Sequence, residues 1–147
     1  MKKVLLGLLI AIIMNGSVFS CKTPEELMYN YFSDFNAQDI IMVERNFSFP
    51  LMVIQNGKKT IHNDISTFLN FKKIKKTGWS ESVINSLTLL LEKNKSAITQ
   101  LNFSRINNDG NVYLTSDVNY ILIKENEHWY ISGIIIDSNI PLGIENN

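Results

Sequence analysis

The sequence predicts an α+β fold, with helices first and a mainly antiparallel sheet after them. Three observations carry this reading. Between Ala97 and Asp137, apolar and polar residues alternate through three long segments, broken at Asn107-Asn108-Asp109-Gly110 and again at Glu125-Asn126-Glu127. Asp-Gly between alternating runs is a strong hairpin signal, because Gly supplies the positive φ that the turn needs. Upstream, Leu27, Met28, Tyr31, Phe32 and Phe35 recur at helical spacing. At 147 residues the chain has the length of one domain.

The elements follow in order. Thr23-Pro24-Glu25-Glu26 starts the first helix: Thr23 caps it, Pro24 suits its first position, and Glu26 completes a capping box. This helix runs to about Asn36. Asp39 caps a second, from Ile40 to about Asn46, with Ile40, Val43 and Phe47 on one side. Phe49-Pro50 closes the helical region, since Pro disfavours helix in the residue before it. Leu51–Ile54 is a strand, Gln55-Asn56-Gly57-Lys58 a hairpin turn, and Lys59–His62 a short return. Asn63 or Asp64 caps a third helix, Ile65 to about Lys76, with Ile65, Phe68, Leu69 and Ile74 as its buried stripe. Gly78 stops it. Four long strands complete the order: Val83–Glu92, Ile98–Ile106, Val112–Lys124 and His128–Asp137. The segment 138–147 reads as a flexible tail.

The first twenty residues read as an export signal, with Lys2 and Lys3 before an apolar run from Val4 to Met14, then a break at Asn15-Gly16-Ser17. The run is short for a membrane span. Removing it leaves twelve basic against fourteen acidic side chains, a charge of about −2. That balance offers no basic face to a nucleic acid. Cys21, the only cysteine, falls at the expected cut. Val18-Phe19-Ser20-Cys21 resembles a bacterial lipobox, although Phe19 is larger than that pattern prefers; ordinary cleavage beside an incidental Cys is the competing reading. The expected location is therefore periplasmic or extracellular, with a lipid anchor at Cys21 as the one route to a membrane. A single cysteine allows no internal disulfide, so stability rests on the core.

Several motifs in sequence carry a resemblance. They are Tyr31-Phe32-Ser33-Asp34-Phe35-Asn36-Ala37-Gln38-Asp39, Phe49-Pro50 before the hairpin, Gly78-Trp79, Phe103-Ser104-Arg105 before Asp109-Gly110, and Tyr120-Ile121-Leu122 before Trp129-Tyr130-Ile131. In this order, over about Thr23 to Asp137, the chain resembles the NTF2-like or SnoaL-like superfamily. The resemblance implies a cone in which a curved sheet wraps over three N-terminal helices. That fold hosts enzymes, binding modules and assembly domains alike.

Enzymes of the superfamily work on apolar ligands inside the cone with an Asp or His base and Tyr or acid donors. Such chemistry needs a poised base and a donor at the developing oxyanion. Asp39 and Asp64 are explained as helix caps, Asp34 as a solvent-facing residue late in the first helix, and Asp117 by a polar strand face shared with Thr115 and Asn119. No pair matches an enzyme motif. His62 reads as a strand-end residue and His128 as an exposed hairpin residue; no spacing suggests a metal site or a cofactor. Arg105 shares a strand face with Leu101 and Phe103, where a fixed cation could hold a carboxylate; pairing with Asp109 or Glu127 is the plainer account. The pocket candidates are Tyr31, Phe35, Trp79, Arg105, Tyr120 and Trp129, though large aromatics also build cores. Lys72, Lys73, Lys75 and Lys76 form a basic patch that reads as a solvated helix end, or as a contact for anionic headgroups if Cys21 is lipidated.

The leading functional expectation is a non-catalytic module, homodimeric through the outer sheet face, that binds a small apolar or amphipathic ligand or acts as an interaction domain. The alternatives are a small isomerase, dehydratase or cyclase, and an accessory lipoprotein acting through its surface.

Overall fold

The computed structural model describes residues 21–140; the expected export segment and the end of the expected tail lie outside them. The chain folds as α1 (Pro24–Ala37), α2 (Ile40–Glu44), β1 (Phe47–Gln55), β2 (Lys58–His62), a 3₁₀ turn (Ile65–Thr67), α3 (Phe71–Lys75), β3 (Trp79–Glu92), β4 (Ser96–Asn107), β5 (Val112–Glu125) and β6 (His128–Ile136). The six strands form one mixed sheet in the order β2-β1-β6-β5-β4-β3. β1 runs parallel to β6, and the other neighbours are antiparallel. No described helix is long and apolar enough to cross a membrane.

Local sequence explains where α1 begins. The Thr23 hydroxyl accepts the Glu26 amide proton and the Glu26 carboxylate accepts from the Thr23 amide, a complete capping box. Leu27, Met28, Tyr31, Phe32 and Phe35 form its buried face. That face lies on the inward residues of the sheet, among them Leu101, Phe103, Tyr120, Leu122 and Ile131. Asp39 caps α2 by accepting from the Ile41 and Met42 amides. α2 stops at Glu44, before Asn46, whose side chain turns back to donate to the Met42 and Val43 carbonyls.

Three expectations change. The single helix from Ile65 to Lys76 is two short pieces. Asp64 caps the 3₁₀ turn, and Asn70, in extended backbone, accepts from the Lys73 amide and starts α3 afresh. An Asn that bonds local backbone in this way competes with helix continuation. The four residues of the expected stripe are buried all the same. Second, β1 starts at Phe47, ahead of Pro50. Pro50 sits where the register with β6 shifts, between Phe47 and Met52, and before the pairing with β2 begins at Leu51, so its missing N–H leaves no gap in a ladder. Third, the start of the presumed tail is held down. The Gln55 side-chain amide donates to the Ser138 and Ile140 carbonyls, and Ile140 is buried; residues 141–147 lie outside the described part.

β3 carries three register shifts against β4, and β4–β5 and β5–β6 carry one each. Bulges of this kind bend strands and increase twist, which curves the sheet around α1. Gly133 marks a close approach on the outer face, where a Cβ would meet the Ile121 side chain at 3.1 Å.

Thr99 faces the core with no exposure, and its hydroxyl has no hydrogen-bond partner among the described residues. A buried hydroxyl left unsatisfied costs about 1–3 kcal/mol. Thr99→Val keeps the shape and removes the unmet group, so urea unfolding is expected to show a gain of about 1 kcal/mol.

Candidate functional site

Between α1 and the inner face of the sheet lies a cavity of about 30 Å³. The alternation of β4 places Phe103 and Arg105 on its wall, that of β5 places Val118 and Tyr120 there, and β6 adds Ile134 and Ile136. α1 contributes Tyr31, Phe32 and Phe35; the turn after β2 contributes Phe68 and Leu69. Ser82 of β3 completes the lining. By volume the space holds roughly two water molecules.

Tyr31 and Tyr120 meet edge to face with ring centroids 6.1 Å apart. Burial pushes both phenols well above the ordinary tyrosine range, so both stay protonated. Arg105 is 2 % exposed, and burial lowers its pKa, with Tyr113, Tyr31 and Tyr120 acting in the opposite direction. Its side chain hydrogen-bonds that of Tyr113, whose hydroxyl lies 2.9 Å from the Thr77 hydroxyl after α3. Asp109 and Glu127 stand apart from this phenolic surround. The reason is direction: the β4 pleat turns the Arg105 side chain inward, while Asp109 and Glu127 stand exposed in the hairpin turns.

Of the sequence candidates, Tyr31, Phe35, Arg105 and Tyr120 line the cavity together. Trp79 and Trp129 are buried but do not. Trp79 packs against Phe35 at 5.2 Å and Phe71 at 6.0 Å, and its indole N–H donates to the Ser82 hydroxyl at 3.0 Å, so it supports the wall from behind. Trp129 sits at the opposite end of α1: its backbone N–H donates to the Cys21 carbonyl, and Lys124 Nζ lies 5.9 Å above its ring. Reasoning from the sequence missed Phe32, Phe68, Phe103 and Val118. The signal for three of them was present, since Phe32 lies on the helical face of Tyr31 and Phe35, and Phe103 and Val118 stand two residues from Arg105 and Tyr120.

The other titratable groups are placed elsewhere. Asp34 is half-buried rather than solvent-facing, and its carboxylate accepts from the Asn46 side-chain amide at 2.8 Å. Asp117 is exposed on the outer sheet face and accepts from Asn102 at 2.9 Å. His62 is buried between the hydroxyls of Thr60 at 3.1 Å and Thr67 at 3.3 Å, and burial lowers its pKa. His128 is half-buried rather than exposed. Cys21 is 1 % exposed; its sulfur accepts from Asn30 at 3.3 Å, and burial raises its pKa. Among the described residues no three His, Cys, Asp or Glu side chains gather as metal ligands.

The wall depends on one long-range tether. The Asn36 side chain accepts from the Ser82 amide at 2.8 Å and donates to the Ser82 carbonyl at 2.9 Å, joining the end of α1 to β3. Asn36→Ala is expected to cost about 1–3 kcal/mol in urea unfolding, with faster hydrogen exchange at Ser82.

The shifted groups also set a pH profile. His62 favours its neutral form in the fold, so stability is present above the unfolded pKa of about 6.5 and falls as pH drops below it. Tyr31, Tyr120 and Cys21 have raised values, so their contribution is present below their unfolded values and is lost as the solution becomes alkaline. Thermal unfolding is expected to plateau between about pH 6.5 and 8.5 and to decline on either side.

A family model described as NTF2-like protein (DUF6841) matches residues 24–139. No protein of curated function matches the chain. Among solved structures, an NTF-2 like protein of unknown function from Shewanella oneidensis MR-1 superposes with a TM-score of 0.61 at 16% identity, covering 78% of this chain and 95% of that one. A structure provisionally named an aromatic ring hydroxylase, from Novosphingobium aromaticivorans, gives 0.60 at 15% identity, covering 80% and 87%. One provisionally named a ketosteroid isomerase, from Shewanella frigidimarina, gives 0.56 at 10% identity, covering 74% and 89%. At these identities the structural likenesses speak for the fold alone, and they agree with the curved mixed sheet and the family match: the chain belongs to the NTF2-like protein family DUF6841.

Proposed function

We propose that this chain is an exported, non-catalytic NTF2-like module that holds a small amphipathic ligand inside the cone. The observation that supports this is the chemistry of the cavity wall: two phenols, a guanidinium and a serine hydroxyl in an otherwise apolar lining, with no carboxylate or imidazole among the lining residues. Proton-transfer chemistry needs a base within hydrogen-bond reach of the ligand. The carboxylates of Asp34 and Asp117 serve Asn46 and Asn102 instead.

Dimerisation through the outer sheet face belongs to the same reading. Ile121, Ile123 and Ile135 alternate away from α1 and are half-buried there. Lipidation at Cys21 remains part of the proposal with a stated requirement: the sulfur, packed beside Asn30, has to leave the core to carry acyl chains. The lysines of α3 stand at the far end of α1 from such an anchor. Cys21 adjoins the start of α1 and α3 packs by its end, through Phe35 and Phe71, a separation of about 20 Å along the helix.

Native mass spectrometry of the protein purified from its own source tests the reading. A discrete added mass that survives gentle ionisation and leaves on denaturation is the expected result, on a dimer whose denatured chain begins at Cys21. A bare protein that gains no mass in its source extract would overturn the binding role.

A further inference from the structure

Resting on the exported, Cys21-anchored part of that reading, we infer that the tip of the β3–β4 hairpin docks on an anionic phospholipid bilayer, with Leu90 and Leu91 at the acyl boundary and Lys93 and Lys95 at lipid phosphates. The tip stands clear of the packed body. The ladder between β3 and β4 continues to Glu92 and Ala97, yet every residue from Leu90 to Ser96 is exposed. Leu90 is 53% exposed and Leu91 42%. Two adjacent leucines beside a projecting turn present apolar surface that the fold does not cover, and the neighbouring lysines suit the polar side of a boundary. The turn is also held in place. The Lys93 amide donates to the Ser96 carbonyl at 2.8 Å, and the Lys124 amide of β5 donates to the Lys95 carbonyl at 3.0 Å. A tip fixed in this way needs little ordering when it meets a surface.

Position selects a bilayer as the partner. Cys21 lies at the same end of the molecule: its carbonyl accepts from the Trp129 amide, Trp129 pairs with Lys124, and Lys124 bonds the tip. Two strand spacings separate Trp129 from Lys95, about 10 Å. An acyl anchor on Cys21, or the apolar run from Val4 to Met14 where it is retained, brings a membrane to this end. The charges agree. Glu127 pairs with Lys124 at 3.1 Å and Glu125 accepts from the Ser48 hydroxyl at 3.3 Å, so the tip itself carries Lys93 and Lys95 against Glu92. A lysine near an anionic leaflet strengthens attachment about fivefold. A single acyl chain holds a protein only marginally, and a second contact makes the attachment stable.

The full chain carrying Leu90→Trp, purified from its own source and mixed with vesicles of equal parts phosphatidylglycerol and brominated phosphatidylcholine, tests the docking. Bromine on the acyl chains quenches an indole that reaches them. Ile61→Trp is the control, since Ile61 is exposed on β2, at the opposite margin of the sheet. Native Trp79 and Trp129 are buried and give a constant background. Leu90→Trp emission is expected to shift blue and be quenched, while Ile61→Trp emission is not. Lys93→Gln with Lys95→Gln is expected to lower the ratio of docked to undocked tips about 30-fold. Protein that sediments with the vesicles while Leu90→Trp stays unquenched would overturn the docking and leave the anchor standing. Protein that stays off the vesicles would overturn both. A blue shift that grows with protein concentration in the absence of vesicles would overturn the bilayer assignment in favour of a second copy of the chain. Equal quenching on anionic and on purely phosphatidylcholine vesicles would overturn the headgroup contact. None of these outcomes bears on the cavity, whose occupancy the added mass reports separately.

Discussion

The fold depends on how Tyr31 is packed. Its ring meets Phe32, Phe35, Phe47 and Tyr120 at centroid distances between 5.3 and 6.1 Å, all edge to face. Phe47 opens β1 and Tyr120 stands in the middle of β5, so one side chain of α1 joins the parallel and antiparallel halves of the sheet. Each such aromatic pair contributes about 0.5–1.5 kcal/mol beyond the burial of its surface. The residue that closes the core also faces the cavity. Core packing and the cavity wall therefore draw on the same atoms, and the cavity is small for that reason.

Much of this was legible in the chain. Capping chemistry located the start of α1 through Thr23 and Glu26, and Asn-Gly and Asp-Gly located two hairpins, because these signals act within a few residues. The third helix was misjudged because its apolar stripe is real while Asn70 interrupts the backbone; periodicity reports burial, and burial survived the break. The parallel pairing of β1 with β6 could not be seen, since it joins segments separated by most of the chain and leaves no mark on either strand's alternation.

The site followed the same division. Alternation grouped Arg105 with Leu101 and Phe103 without saying which face points inward, and Tyr120 was picked out as a large aromatic. Neither signal gives a position along the axis of the cone. Trp79 and Trp129 point inward too, yet they lie at the two ends of α1, beyond the cavity. Phe68 reaches the wall from a turn with no period at all. A resemblance to a fold that hosts enzymes raised the question of a base. The lining of the cavity carries phenol, guanidinium and serine side chains, with no carboxylate or imidazole among the described lining residues.

The tether between Asn36 and Ser82 has a consequence for how chains meet one another. β3 is an edge strand, and an edge strand's outward N–H and C=O groups are templates for a foreign strand. At Ser82 both groups are already taken by a side chain of the same molecule. The bulges that follow break the repeat over the rest of the edge, and the opposite edge is only five residues long and begins with Lys58 and Lys59. Growth by strand addition is thus obstructed at both margins of the sheet. The dimer proposed above would use the sheet's broad outer surface instead, and a two-fold contact there closes on itself rather than stacking without end.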